Sequence, residues 1–285
     1  MPQNERVLLS VLAHPDDESF GMGGTLALYA EQGVKVHLIC ATRGEAGEVG
    51  PEYLQEYDSI ADLRESELRC AAAHLGLQDV HFLDYRDSGM VGSADNEHPN
   101  AFIMTPVEQV AAQVAHFIRE LKPQVVLTFD PIGGYRHPDH IHIQKATTQA
   151  ISLAASPDFK DGLSPYQPDK FYYHTISRSF LRLAVGILRL LRKDPAHWGK
   201  NGDIDLVSLT VEDFPVHARI EFRPVEMRKV AASACHASQG GGSTISSPIQ
   251  WIFKLFLGRP HDTFMRVYPV PEKGLMETDL FVGID

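Results

Sequence analysis

The chain has 285 residues, of which 44% are hydrophobic and 22% charged, so it carries enough apolar surface for one large core or two small ones. Its formal net charge of −11 argues against a nucleic-acid-binding surface, which needs a basic footprint. The N-terminal stretch has too few apolar residues for a signal peptide, and no run reaches the length of a membrane span. We therefore expect a globular, cytoplasmic protein without a nucleic-acid partner.

The three cysteines indicate a reducing compartment. Cys40, Cys70 and Cys235 are odd in number, lie far apart in the chain and form no CxxC pair. Such a pattern predicts neither a disulfide framework nor a thiolate metal cluster.

Apolar runs rich in β-branched residues alternate with helical patterns through the first half of the chain. We predict five strands, at residues 6–13, 34–42, 80–85, 125–130 and 170–176. Helical patterns lie between the first four strands, within residues 23–33, 62–76 and 105–123. This alternation predicts a mostly parallel sheet covered by helices on both faces, which is a Rossmann-like three-layer α/β sandwich.

The second half of the chain has a less regular pattern. One helix is predicted within residues 223–239, ahead of a Gly- and Ser-rich stretch. No repeat or clear linker divides the chain. We therefore predict a single domain over residues 1–285, in which residues 1–176 form an α/β core that carries the functional site. Residues 177–285 are expected to form a helical insertion and a C-terminal elaboration.

Residues 177–193 are apolar over most of a helical surface, with Arg178, Arg182, Arg189 and Lys193 on one narrow face. We favour a lid or an oligomer-interface helix, because a net acidic protein is a poor match for an anionic lipid surface. A helix that lies on a membrane surface is the alternative. Liposome co-sedimentation distinguishes the two interpretations.

Histidine and aspartate side chains follow two of the predicted strands. The first strand is followed by His14, Asp16, Asp17 and Glu18, and the fourth by His137, Asp139 and His140. Because the carboxyl ends of parallel strands meet at one edge of a sheet, we expect both sets there. Imidazole and carboxylate ligands suit Zn²⁺ and also accept Fe²⁺, and three protein ligands leave a position for water or substrate. A carboxylate beside such a metal can act as general base.

Each motif also has a structural interpretation. His14 or Asp17 alone is typical of a turn or helix cap, and Glu18 is best explained as an acid in the first turn of a helix. The occurrence of both clusters after separate strands favours chemistry instead. The glycines in GMGG suggest a dinucleotide site, but Leu26 stands where the third glycine belongs and Arg43 where a ribose-binding acid is expected.

Two motifs carry a family resemblance. AHPDDE at residues 13–18, followed by GGYRHPDH at residues 133–140, resembles the zinc-dependent LmbE-like (PIG-L) deacetylases. LRESEL at residues 63–68 and YRDSGM at residues 85–90 resemble the branch that acts on mycothiol and its precursor, and KVAASACHASQ at residues 229–239 resembles the family's C-terminal helix. The order of the motifs matches over most of the first 155 residues.

The resemblance implies that His14, Asp17 and His140 hold the metal. It also implies that Asp16 is the general base, which deprotonates the water that attacks an amide carbonyl. The local sequence agrees with this division, because adjacent residues in an extended loop point in opposite directions. Asp16 and Asp17 can therefore serve the water and the metal separately.

The resemblance implies further roles around the metal. His137 stabilises the oxyanion or protonates the leaving amine, and Tyr135 helps to polarise the carbonyl. Asp139, between the two histidines, orients one of them. Arg64 and Asp87 match positions that bind sugar or inositol hydroxyls, with Arg64 able to fork onto vicinal oxygens.

The function implied by the resemblance is metal-dependent removal of acetyl from a small-molecule N-acetylglucosamine-type sugar or glycoconjugate. One alternative is an amidase that cleaves a larger conjugate of the mycothiol S-conjugate type. Another is a non-catalytic metal- and sugar-binding protein, but the presence of Asp16, Tyr135 and His137 beside an open coordination position counts against it. Relatives of this kind often assemble, so a homo-oligomer stays open.

Overall fold

One mixed sheet lies at the centre of the molecule in the computed structural model, which describes residues 5–176, 178–197, 202, 204–242 and 260–284. Within these residues the strands are β1 (Val7–Leu12), β2 (Lys35–Thr42), β3 (Asp79–Tyr85), β4 (Val125–Phe129), β5 (Lys170–Thr175), β6 (Ala218–Glu221) and β7 (His261–Tyr268). Their order in the sheet is β3-β2-β1-β4-β5-β7-β6. The first five strands run parallel, and β7 and β6 extend the sheet in antiparallel pairing.

Helices cover the sheet in two groups. The helices are α1 (Gly23–Glu31), α2 (Ile60–Leu75), α3 (Val107–Leu121), the short turn α4 (Gly133–Arg136), α5 (Pro138–Ala155), α6 (Arg178–Leu190) and α7 (Glu226–Cys235). One group consists of α3 and α5, which pack against each other, and the other of α1, α2 and α7. This arrangement confirms the predicted three-layer α/β fold with a mostly parallel sheet.

Local signals set the ends of the elements that carry the site. Ser59 caps α2 by accepting a hydrogen bond from the Asp62 backbone at 3.1 Å, and Gly76 ends that helix in the left-handed conformation. All six residues of β1 are buried, as expected for a strand covered on both faces. The apolar run before His14 is therefore a central strand, whose carboxyl end presents the following residues at the edge of the sheet.

The five predicted strands and the three helices of the first half are confirmed, with ends that differ by at most two residues. The sequence pattern did not predict α5, because HPDH resembles a turn, whereas Pro138 begins a helix that runs to Ala155. It also did not predict β6 and β7. Residues 177–285 thus contribute two strands to the central sheet and are not only an addition to it.

Helix α6 lies within residues 177–193, the apolar segment noted in the sequence. Leu181 and Leu188 pack with Leu206 and Leu209 into a second, smaller core, so one face of the helix is covered by the chain itself. Contact of this helix with lipid or with another subunit stays a prediction. Among the described residues, no helix is long and apolar enough to cross a membrane.

Cys70 and Cys235 form a disulfide, a pair that the expectation of no disulfide framework did not foresee. Cys70 lies on α2 and Cys235 at the end of α7, and the two helices pack together across a sequence separation of 165 residues. The spacing of the cysteines in the sequence does not predict this disulfide, because only the tertiary fold brings the two cysteines together. Because disulfides are rare in reducing compartments, the cysteines no longer support a cytoplasmic location, which stays a prediction.

Candidate active site

The loops that follow β1, β3 and β4 meet at one cleft at the carboxyl edge of the parallel strands. The cleft has a volume of about 530 Å³. Its lining includes six of the residues named from the sequence: His14, Asp16, Arg64, Asp87, Tyr135 and His137. Asp17, Asp139 and His140 are buried against this lining through contacts with His14. The structure therefore brings all nine predicted site residues together.

The Nε2 atom of His14 faces two buried carboxylates. It lies 3.1 Å from Asp139 Oδ2 and 3.4 Å from Asp87 Oδ1. The same oxygens accept backbone N–H groups, from Ser88 at 3.0 Å and from Gly89 at 2.8 Å, which fixes both carboxylates. These contacts place a proton on His14 Nε2, so Nδ1, which points in the other direction, is the nitrogen that can bind a metal.

His140 points a second ring nitrogen at the same place. Its Nδ1 donates to the Gly133 carbonyl at 3.2 Å, so Nε2 is the nitrogen that is available to a metal. That Nε2 lies 3.1 Å from His14 Nδ1 and 3.1 Å from Asp17 Oδ1, and His14 Nδ1 lies 3.6 Å from Asp17 Oδ2. Tetrahedral N and O ligands of zinc are about 3.3 Å apart, so these three acceptors fit one metal ion.

The charges around this point also favour a cation. Burial raises the pKa of Asp17, but the neighbouring His140 and His14 hold it well below its usual value. Burial lowers the pKa of His14, whereas Asp87, Asp139 and Asp17 together raise it well above its usual value. A metal ion between these groups would replace the proton that the acids hold on His14.

Two other sets of groups at the cleft lie close enough together to hold a metal: His14 with His137 and His140, and His14 with Asp87 and Asp139. A third set, Cys70 with His74 and Cys235, lies elsewhere, and its two cysteines are joined in the disulfide. The first set needs a lone pair on His137 Nε2, although the hydrogen bond that His137 Nδ1 accepts places the proton on Nε2. The second set leaves out both Asp17 Oδ1 and His140 Nε2, which lie 3.1 Å apart beside His14 Nδ1. The hydrogen bonds therefore favour the set of His14, Asp17 and His140.

Asp16 has a backbone conformation that is rare outside glycine, with a φ of 115°. Arg64 donates from Nη2 to Asp16 Oδ2 at 3.0 Å and to the Pro15 carbonyl at 2.5 Å, and from Nη1 to the Gly44 carbonyl at 2.8 Å. The Asp16 side chain stays 18% exposed, whereas that of Asp17 is 7% exposed. Burial raises the pKa of Asp16 to about 6, against the opposing charge of Arg64.

His137 and Tyr135 form the wall of the cleft beside the two facing imidazoles. His137 Nδ1 accepts the Asp139 N–H at 3.2 Å and caps α5, which leaves the His137 proton on Nε2. Burial, together with His14 and His140, holds the pKa of His137 well below its usual value, so the ring is a neutral donor. Burial raises the pKa of Tyr135 well above its usual value, and its hydroxyl keeps its proton.

Glu18 makes a contact beyond the role of a first-turn acid that the sequence suggests. It begins the π-helical turn Glu18–Met22, but its side chain is fully buried and accepts a hydrogen bond from His236 Nε2 at 2.7 Å. Sequence analysis did not name His236, which follows α7, nor Gln239, which lines the cleft. The only sequence signal for them was the resemblance of residues 229–239 to the family's C-terminal helix.

Comparisons of the sequence with family models and with curated proteins indicate the same family. A family model described as PIG-L, GlcNAc-PI de-N-acetylase, matches residues 9–151. The chain is 37% identical over 249 residues to the 1D-myo-inositol 2-acetamido-2-deoxy-alpha-D-glucopyranoside deacetylase of Thermomonospora curvata, which covers 84% of this chain and 82% of that protein. It is also 37% identical over 295 residues to the protein of the same name from Streptomyces scabiei, which covers 97% of this chain and 89% of that protein.

Solved structures with a similar fold carry different activities. N,N'-diacetylchitobiose deacetylase of Pyrococcus horikoshii matches with a TM-score of 0.62 and 20% identity, covering 93% of this chain and 85% of that chain. GalB, the 4-carboxy-2-hydroxymuconate hydratase of Pseudomonas putida KT2440, matches with a TM-score of 0.61 and 20% identity, covering 95% of this chain and 99% of that chain. Similarity of fold alone therefore does not assign the reaction. The sequence matches are more specific, and they show that the chain belongs to the PIG-L family of GlcNAc-PI de-N-acetylases.

Proposed function

We propose that this protein is a metal-dependent deacetylase, which hydrolyses the N-acetyl group of an N-acetylglucosamine linked to a polyol such as inositol. The observation that carries the proposal is the approach of two imidazole nitrogens, His14 Nδ1 and His140 Nε2, to 3.1 Å beside the Asp17 carboxylate. Asp16, the neighbour of Asp17, reaches the cleft. The substrate class is proposed from the names of the two relatives at 37% identity.

The metal would be held by His14, Asp17 and His140. A bound ion supplies two kinds of chemistry, since it lowers the pKa of a water molecule and polarises the amide carbonyl. Two imidazoles and one carboxylate accept both Zn²⁺ and Fe²⁺, and we propose zinc with iron as the alternative. Reconstitution of metal-free protein with each ion, followed by metal analysis and the amine assay below, distinguishes them. Higher turnover with iron at equal occupancy would reject zinc.

Asp16 would act as the general base. Arg64 holds Asp16 Oδ2 at 3.0 Å, which leaves Oδ1 to accept a proton from the attacking water in the cleft. The unusual backbone conformation of Asp16 separates its carboxylate from that of Asp17 although the two residues are adjacent. Once protonated, Asp16 can return the proton to the leaving nitrogen as the bond between carbonyl carbon and nitrogen breaks, so that acetate and a free amine result.

His137 and Tyr135 would stabilise the charge that develops on the carbonyl oxygen. The hydrogen bond at His137 Nδ1 directs its Nε2–H away from α5, and Tyr135 offers a protonated hydroxyl on the same wall of the cleft. Two preorganised donors of this kind act as an oxyanion hole. Of the two roles that the resemblance allowed for His137, the neutral donor fits these contacts better.

The cleft supplies polar groups for a hydroxyl-rich substrate. Asp87, Glu48, Ser93, Asp95 and Gln239 line it, and carboxylates and amides are suitable partners for sugar hydroxyls. The contacts of Arg64 favour a different role from the predicted sugar contact. Its guanidinium already donates to two backbone carbonyls and to Asp16, so we propose that it positions the base.

The test is a fluorescamine assay for free amine on a panel of N-acetyl sugars that includes N-acetylglucosaminyl-inositol. In Asp16→Asn, the variant keeps its shape but loses the base, and we expect kcat to fall by about 10²–10⁴-fold. Metal analysis should show that the variant still binds one ion per chain, because Asp16 is not among the proposed ligands.

Asp158→Asn is the matched control, because Asp158 is an exposed acid outside the cleft. It should leave kcat unchanged. No amine release from any sugar by metal-loaded protein would contradict the deacetylase proposal. Amine release from a larger conjugate alone would favour the amidase alternative.

A further inference from the structure

We propose that Glu18 and His236 form a buried positioning pair that holds Asp16 in its unusual backbone conformation and so aims the base into the cleft. The proposal deepens the proposed function, because it takes from that function only the identity of Asp16 as the base. Neither Glu18 nor His236 is part of the cleft lining. They are therefore positioning residues and not catalytic ones.

Glu18 connects the backbone of Asp16 to His236. Its Oε2 accepts the Asp16 N–H at 3.0 Å, and its Oε1 accepts the His236 Nε2–H at 2.7 Å and the Ser19 hydroxyl at 2.5 Å. The side chains of Glu18 and His236 are both fully buried. The bond to Asp16 thus depends on a carboxylate that has no access to water.

Asp16 is held at its backbone N–H, its carbonyl and its side chain. Its carbonyl accepts the N–H groups of Ser19 at 3.0 Å and Phe20 at 2.9 Å, and Arg64 holds the carboxylate. A non-glycine residue with a φ of 115° keeps that conformation only when its surroundings impose it. Glu18 supplies the bond at the N–H, which is the contact that directly restrains rotation about φ. Loss of that bond should let the Asp16 backbone relax and turn its carboxylate.

Glu18 is the polar partner of the His236 side chain within the described part of the chain. Its Nδ1 has no hydrogen-bond partner within the part of the chain that the structure describes. The ring also packs against Phe20, with ring centroids 5.8 Å apart and an interplanar angle of 64°. A buried carboxylate is disfavoured when it loses a donor, so the Nε2–H of His236, together with the Ser19 hydroxyl, stabilises Glu18 in place.

The chain fixes His236 on both sides. The preceding residue, Cys235, is bonded to Cys70 of α2. Two residues later, Ser238 donates from its backbone N–H at 2.8 Å and from its hydroxyl at 2.7 Å to the buried Glu67 of the same helix. The disulfide and the two hydrogen bonds from Ser238 to Glu67 therefore hold the segment around His236 against α2, with the imidazole beside Glu18.

The test compares two substitutions of His236. His236→Leu removes the donor, whereas His236→Gln keeps an N–H that can reach Glu18. We expect kcat to fall at least roughly tenfold in His236→Leu, since a small misplacement of a catalytic group is that costly, while KM and metal content stay near the wild-type values. His236→Gln should recover kcat to within about threefold of wild type.

Tyr29→Phe is the control for a loss of stability alone. Tyr29 is buried away from the cleft, donates to Asp279 at 2.9 Å and accepts from the Leu280 N–H at 2.6 Å. This variant should lower the melting temperature without lowering kcat. A fall in kcat in His236→Leu that only matches a fall in metal content would overturn the proposal, because it would indicate a general structural defect.

A crystal structure of His236→Leu gives a readout that does not depend on activity. We expect Asp16 to leave its positive φ and to lose its contact with Arg64, and an unchanged Asp16 would overturn the proposal. Inactivity of the wild-type protein on every sugar would reject the proposed function, and the crystallographic result would still decide the positioning pair. If His236→Leu does not fold, Glu18→Gln tests the same bond from the other side.

Discussion

The disulfide between Cys70 and Cys235 should contribute strongly to stability, because it joins residues 165 positions apart. In the chain-entropy treatment a loop of that length corresponds to about 5 kcal/mol in the free energy of unfolding, and native disulfides commonly contribute about 2–5 kcal/mol. Cys70 is exposed and Cys235 half-buried, so replacement by serine leaves little cavity in the core. We expect the double variant Cys70→Ser/Cys235→Ser to lose about 2–5 kcal/mol.

Equilibrium urea unfolding, followed by far-UV circular dichroism with and without a reductant, measures this contribution. The wild-type protein should move to a lower unfolding midpoint in reductant, close to that of the double variant. The double variant itself should be insensitive to reductant, because Cys40 is the only cysteine left in it. Thiol titration reports whether the bond was reduced. An unchanged wild-type midpoint after complete reduction would refute the reasoning.

Two further predictions concern packing and pH. A Cβ at Gly24 would lie 2.2 Å from the ring of the buried Phe222, so Gly24→Ala should lower the free energy of unfolding by about 1–3 kcal/mol in the urea assay. Gly186→Ala is the control, because a Cβ at Gly186 in α6 meets open space, and it should be neutral or slightly stabilising. Burial lowers the pKa of His174 to about 4, so below about pH 6.5 the unfolded chain takes up a proton that the folded one does not. The free energy of unfolding should therefore fall as the pH drops from 7 to 5, and the fall should be about 2 kcal/mol smaller in His174→Leu than in the wild-type protein. The same pH dependence in both proteins would contradict this.

Sequence patterns located the candidate metal site because its signals are local. His14 and Asp17 directly follow a fully buried strand, and His140 lies in a motif that follows another. β1 and β4 pair in parallel, so their carboxyl ends necessarily deliver these residues to the same edge. A prediction that depends only on strand ends and residue type can therefore succeed without knowledge of the helices that cover the sheet.

The last strand was not predictable in the same way. β7 reads HDTFMRVY, in which four polar residues interrupt the apolar ones, and Asp262 is only 5% exposed; a buried acid argues against a strand. Its closest partner lies far away in the sequence, where Thr25 donates its backbone N–H at 2.9 Å and its hydroxyl at 2.7 Å to the Asp262 carboxylate, and Lys229 lies 3.5 Å from the other oxygen. Only the tertiary fold shows that the acid is satisfied, so the pattern alone could not place a strand there.

The same limit explains why the residues that support Asp16 were harder to identify than the residues that line the cleft. The motif around Asp16 identifies an acid in a loop, but it does not show that Arg64, 48 residues away, donates hydrogen bonds to that loop. It also does not show that His236, 218 residues from Glu18, holds the carboxylate that bonds the Asp16 backbone. The strained conformation of Asp16 is the common cause, because it needs support from several directions, and the hydrogen-bond partners of Asp16 lie outside the five-residue loop between β1 and Glu18. The supporting residues therefore come from wherever the fold brings a donor close.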